Sequence, residues 1–136
     1  MIRPVPKPTR IKREVKRPAP AERVPLEDTE QMTVVGWLRA HKVLFSATVP
    51  DRRICHRMGY SPGVPDIMIY DRPGMVMNGR VFVGVAIEMK RRKGGILSEE
   101  QKQWLADLEL RGWKCKVALG CDDAIKFLQE CGYDNR

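Results

Sequence analysis

The sequence predicts an α/β sandwich in which helices flank a mixed sheet of four or five strands. Three observations carry that prediction. Helical and strand signals interleave along the chain in the order helix, strand, strand, strand, helix, strand, helix. The run from Arg80 to Met89 is β-branched and apolar on both faces, as a central strand must be. The tetrapeptide Ser98-Glu-Glu-Gln101 is a capping box that opens a helix between that run and the next strand signal.

From Glu27 to about His41, Val34, Val35, Trp37 and Leu38 recur at helical spacing. Glu27, Glu30 and Gln31 lie upstream on much the same face, and an acidic first turn also suits the helix dipole. Val43 to Thr48 reads as a first strand. Residues 49–65 form a loop rich in Arg, Pro and Gly, and Ile67 to Tyr70 a short strand. The segment from Asp71-Arg-Pro-Gly to Asn78-Gly marks a turn or small hairpin before the central strand. The capping box opens a helix that Gly112 closes, with Trp104, Leu105 and Leu108 as its buried stripe. Trp113 to Leu119 is another strand. Cys121 to Cys131 is a closing helix, capped by Asp122, stopped at Gly132 and apolar at Ile125, Phe127 and Leu128. No internal repeat is present.

A chain of 136 residues with 43% apolar and 31% charged residues builds one soluble domain with a core of its own. The net charge of +8 is unevenly spread. Residues 1–25 hold eight Lys/Arg against two Glu, and six of the ten prolines. That composition builds no core and predicts a flexible basic arm, leaving the nearly balanced residues 26–136 as the folded domain. Nucleic acid is the expected partner of such an arm; solvation or docking to an acidic protein is the alternative. The four cysteines show no C-x-x-C and no zinc spacing with His41 or His56, so reduced thiols and no zinc site are expected. The N-terminus lacks an apolar signal core, and the longest apolar run, Val81 to Ile87, is too short to cross a membrane. A cytoplasmic location follows as the expectation.

Chemistry concentrates between Gly63 and Gln101. Asp66 opens one strand, Glu88 closes another, and Lys90 follows two residues later on the same face. Charge at the ends of apolar strands calls for a reason. Two carboxylates and the Met89 backbone carbonyl are hard oxygen donors suited to Mg²⁺ or Mn²⁺, and Lys90 could orient a nucleophilic water at a phosphate. The bland alternative is a strand-end salt bridge. Arg52, Arg53, Arg57, Arg91, Arg92 and Lys93 flank this trio and are candidate phosphate contacts, or simply a solvated surface. Gly94-Gly95 after Lys93 would let that loop move.

Taken together, Glu27-Asp-Thr-Glu-Gln31, Trp37-Leu38, Gly63-Val-Pro-Asp66, Ile87-Glu88-Met-Lys90, Ser98-Glu-Glu-Gln101, Gly112-Trp113 and Ala124-Ile125 resemble the VRR-NUC family of the PD-(D/E)XK nuclease superfamily. The resemblance spans Glu27 to Tyr133 and is closest to stand-alone, phage-like members. It implies a restriction-endonuclease-like core and metal-dependent cleavage of DNA, structure-selective in replication, repair or recombination, by a homodimer. It further implies that Asp66, Glu88 and Glu27 serve the metal, that Lys90 assists the water, and that Gln101 supports Lys90 or the phosphate. Glu30 rivals Glu27, whose four-residue spacing from Gln31 favours it. The elaborated Asp71-to-Arg80 segment departs from the family pattern. The competing readings are a non-catalytic nucleic-acid-binding module on the same fold, and a sequence-specific restriction enzyme, which would need added recognition elements.

Overall fold

The computed structural model describes residues 25–48, 59, 61–74, 76, 77 and 79–135. The expected arm, apart from Pro25, and Arg52, Arg53 and Arg57 lie outside the described residues. Helix α1 spans Glu27–Ala40, followed by strands β1 (Phe45–Ala47) and β2 (Ile67–Ile69). A two-stranded hairpin of β3 (Val76–Met77) and β4 (Arg80–Val81) precedes the long strand β5 (Gly84–Lys90). Helix α2 (Glu99–Leu110), strand β6 (Trp113–Leu119) and helix α3 (Cys121–Glu130) follow, and a 3₁₀ turn at Tyr133–Asn135 closes the order.

The main sheet is four-stranded in the order β1-β2-β5-β6. β1 and β2, and β2 and β5, pair antiparallel, whereas β5 and β6 pair parallel. The sheet is therefore mixed, and α2 is the crossover that a parallel pair requires. All seven residues of β5 are buried, in keeping with its central position. Side-chain alternation divides them by function. Val85, Ile87 and Met89 join Val34 and Leu38 of α1 and Ala124, Phe127 and Leu128 of α3 in one apolar cluster. Truncating a residue such as Ile87 to Ala at this cluster would cost about 2–5 kcal/mol. Glu88 and Lys90 emerge on the opposite face.

Three local readings need correction. The strand expected from Arg80 to Met89 breaks at Phe82–Val83, so that Arg80–Val81 pairs in the hairpin and only Gly84 onward enters the main sheet. A side chain at Gly84 would lie 2.5 Å from the Ile69 carbonyl oxygen and 2.6 Å from the Trp113 ring, so the sheet starts at the one residue that fits there. In α2 only Leu108 of the expected stripe is buried; Trp104 and Leu105 are half-buried. The N-cap of α3 is Gly120, with φ +89°, and not Asp122, whose carboxylate turns toward Arg92. Asp123 contributes instead, its carboxylate accepting from the Leu119 N–H at 2.9 Å.

Candidate active site

Asp66 sits immediately before β2 because the Gly63-Val-Pro-Asp turn is wedged against the start of α2. Gly63 has φ +87°, and a β-carbon there would lie 2.5 Å from the Glu100 carbonyl carbon and 2.7 Å from the Gln101 nitrogen. Only glycine allows both the backbone conformation and the approach. Pro65 is fully buried, and Thr48 braces the turn by donating its hydroxyl to the Pro65 carbonyl (2.6 Å) and its N–H to the Asp66 carbonyl (2.8 Å). Because β2 starts at Ile67, opposite Ile87, while β5 runs on to Lys90, the Asp66 side chain takes the place of the next ladder partner. Its Oδ2 accepts from the Met89 N–H at 2.7 Å. An extended residue presents its N–H and C=O to the same edge of the strand, so the Met89 carbonyl lies on the Asp66 side.

Glu88 is 2% exposed and shares its face with Lys90. Lys90 Nζ lies 3.5 Å from Glu88 Oε1, and Gln101 Nε2 donates to that same oxygen at 2.5 Å. Gln101 also completes the capping box: its Oε1 accepts from the Ser98 N–H (2.9 Å) while its own N–H donates to Ser98 Oγ (3.1 Å). The Gln101 side chain thus contacts Glu88, where the expectation was support of Lys90 or the phosphate. Capping α2 and holding Glu88 are performed by different atoms of one side chain, Oε1 and Nε2.

The electrostatics are those of two carboxylates packed with too little charge compensation. Burial, then the neighbouring Asp66, push the Glu88 carboxyl up to about 8, against the opposing pull of Lys90. Burial also raises Asp66, opposed by the Met89 N–H and by Lys90 and reinforced by the charge of Glu27. Among the described residues, Glu88 Oε2 and Glu30 Oε2 are the buried side-chain oxygens without a hydrogen-bond partner.

The first helix reaches this corner twice. Glu27 Oε1 accepts from the Arg91 N–H at 3.1 Å. Its charge is felt by Asp66, so Glu27 is the helix-α1 acid on the side of the trio. Glu30, one turn on, is buried and engages Arg92, whose Nε donates to Glu30 Oε1 at 2.8 Å. Arg92 Nη2 lies 2.7 Å from the same oxygen and 3.3 Å from Asp122 Oδ2. Arg91 and Lys93 are exposed beside the site. The Glu30–Arg92 pair carries no local sequence signal, since its partners are 62 residues apart; the burial of Glu30 with Val34 and Leu38 on one face was its only trace.

The donor set fits a hard divalent cation. Among the described residues, no cluster of three or more His, Cys, Asp or Glu side chains is arranged to hold a metal by itself. Two carboxylates and a backbone carbonyl are nevertheless a set that suits Mg²⁺, which keeps several waters and takes few protein ligands. The unpaired Glu88 Oε2, in a site where two acids lack a full complement of positive charge, is the atom such an ion would satisfy.

A mixed four-stranded sheet with three helices, in which α2 crosses over between the parallel strands β5 and β6, is a restriction-endonuclease-like core. A solved structure described as a VRR_NUC domain protein matches this chain with a TM-score of 0.66 at 24% sequence identity, covering 80% of this chain and 89% of its own. The chain has the VRR-NUC fold, as its motifs led one to expect. No protein-family model matches the chain, and no curated protein matches it in sequence. Among the described residues no helix is long and apolar enough to cross a membrane.

Proposed function

We propose that this chain is a divalent-metal-dependent DNA nuclease whose site is Asp66, Glu88 and Lys90, with Glu27 and Gln101 in support. The observation that carries the reading is the meeting of Asp66 with the β5 backbone while Glu88 and Lys90 project beside it, one Glu88 oxygen buried and unpartnered. Asp66, Glu88 and the Met89 carbonyl would hold Mg²⁺ or Mn²⁺. When bound, such an ion offsets the charge that builds on the scissile phosphate and favours the deprotonated nucleophile.

The remaining work falls to the chain's own groups. Lys90, next to Glu88, orients a water for in-line approach and stabilises negative charge at the phosphate. The water oxygen bonds to phosphorus and gives up a proton to solvent, the bond to one ester oxygen breaks, and that oxygen takes a proton from solvent as it leaves. Gln101 holds Glu88 in the rotamer that leaves Oε2 free. Arg91 and Lys93, exposed on the adjoining loop, contact flanking phosphates. The resemblance of its motifs to the VRR-NUC family favours structure-selective cutting of branched or nicked DNA, by two copies acting together on two strands.

Labelled junction, flap, nicked duplex, linear duplex and single-stranded DNAs, incubated with Mg²⁺, Mn²⁺ or EDTA, test the reading. Metal-dependent cutting that ranks branched or nicked substrates first supports it. Binding to all of them without cutting under any metal would leave a nucleic-acid-binding module on a nuclease fold.

A further inference from the structure

We infer that Glu30 and Arg92 are a pair of positioning residues that fix the turn after β5 and thereby aim Lys90 and Glu27, and that Arg92 is not a phosphate contact. This deepens the nuclease reading and rests on it. Glu30 is 3% exposed and gives one oxygen to both Nε and Nη2 of Arg92. Its other oxygen is buried and unpaired, so the guanidinium is what holds the acid in place. The pair lies against Gly120, where a β-carbon would meet Arg92 Cγ and Nε at 2.8 Å and Glu30 Oε2 at 2.9 Å. Gly120 in turn donates its N–H to the Lys90 carbonyl at 3.0 Å.

Helix α1, the end of β5 and the β6–α3 turn therefore meet at one point directly behind Lys90. What that point controls follows from its neighbours. The backbone between Lys90 and Arg92 carries the Lys90 side chain into the site, and its Arg91 N–H holds the Glu27 carboxylate that acts on Asp66. Arg92 is exposed, as Arg91 and Lys93 are, but its Nε and Nη2 are already committed to Glu30 and Asp122, which leaves it less to offer DNA.

The experiment is a double-mutant cycle of Glu30→Gln and Arg92→Gln, with Arg92→Lys as the variant to use should Arg92→Gln fail to fold. Cleavage kinetics are paired with the salt dependence of DNA binding in EDTA and with Mn²⁺ affinity by calorimetry. The expected result is a fall in kcat of about ten- to a hundredfold for each single variant, with KM little changed. The double variant should be no worse than either single one, because both remove the same contact. The salt slope should match the wild type, and Mn²⁺ binding should weaken in Glu30→Gln.

Arg92→Gln alone raising KM and flattening the salt slope by about one, with Glu30→Gln unaffected, would make Arg92 a phosphate ligand and overturn the inference. So would an unchanged kcat in both. If the wild type cuts nothing, the nuclease reading falls separately. The pair is then judged on Mn²⁺ affinity, where equal binding by wild type and Glu30→Gln overturns it.

Discussion

Gln101 Nε2 donates to Glu88 Oε1 at 2.5 Å while the rest of the same carboxamide closes the capping box of α2. The start of a helix and the orientation of a site acid are thus one hydrogen-bonded unit. Substituting Gln101→Ala should remove both contacts, lowering the stability of the metal-free protein by about 1 kcal/mol through the lost cap and the rate of cleavage by about ten- to a hundredfold. Gln101→Glu keeps the cap acceptor but replaces the N–H donor to Glu88 Oε1 with a carboxylate oxygen. Its stability should fall less and its activity as much. Thermal denaturation beside turnover separates the two effects.

Lys90 stands 3.5 Å from Glu88 and is nearly buried. Lys90→Ala should lower kcat by about a hundred- to ten-thousandfold and leave DNA binding in EDTA within a few-fold of wild type. Arg91→Ala should do the reverse, weakening binding and reducing its salt slope by about one with a smaller effect on kcat. Fluorescence anisotropy on an uncleaved duplex, set against single-turnover rates, reads both.

The raised Glu88 carboxyl makes a stability prediction with a definite sign. Its folded-state value of about 8 stands above the ordinary 4.5, so the folded state binds this proton more tightly than the unfolded chain does. Glu88 therefore supports the metal-free fold most at low pH, and that support is lost as pH rises from about 4.5 to about 8. Glu88→Gln should flatten this dependence. Denaturant melts of both proteins from pH 5 to 9 in EDTA test it; a wild-type curve that rises with pH in step with the variant would refute the assignment.

Adding Mg²⁺ or Mn²⁺ should raise the melting temperature of the wild type, because an ion that binds only the folded site stabilises it by mass action. At neutral pH the same titration should release protons, since Glu88 has to give up its proton to bind. Asp66→Asn and Glu88→Gln should each abolish the shift. Calorimetry in two buffers of different ionisation enthalpy counts the protons directly.

Gly63→Ala should cost about 2 kcal/mol or more and reduce activity with it, because φ +87° and the 2.5 Å approach to Glu100 leave no room to relax. Gly94, which also has positive φ but nothing within 4 Å of its would-be β-carbon, should lose only the backbone strain on substitution to Ala. The difference in melting temperature between the two variants isolates the steric part.

What was legible in the sequence follows from the range of each signal. That Glu88 and Lys90 share a face was readable because strand alternation is local: an acid and a lysine two residues apart at the end of an apolar run lie together whatever the tertiary fold. The Gly63-Val-Pro-Asp turn and the Ser98 capping box are short-range in the same way. Glu30 was harder, because an acid in the first turn of a helix is well explained by the dipole alone. Only the arrival of Arg92 from the turn after β5 distinguishes it from Glu27. The strand expected from Arg80 failed because hydropathy registers no break between Val81 and Val85. The break is set by Gly84 meeting the Ile69 backbone and the Trp113 ring, which are remote in sequence. Asp122 looked like a cap by position, but Arg92 drew its carboxylate away.

The central claim is that Asp66, Glu88 and Lys90 form one metal-dependent hydrolytic site. Single-turnover cleavage of the preferred DNA by wild type and Lys90→Ala, each with Mg²⁺ and with EDTA, tests it most directly. Cutting by the wild type in Mg²⁺ only, with the variant slowed at least a hundredfold yet binding the same DNA, is the expected result. Cutting that persists in EDTA, or that Lys90→Ala performs at the wild-type rate, would contradict it.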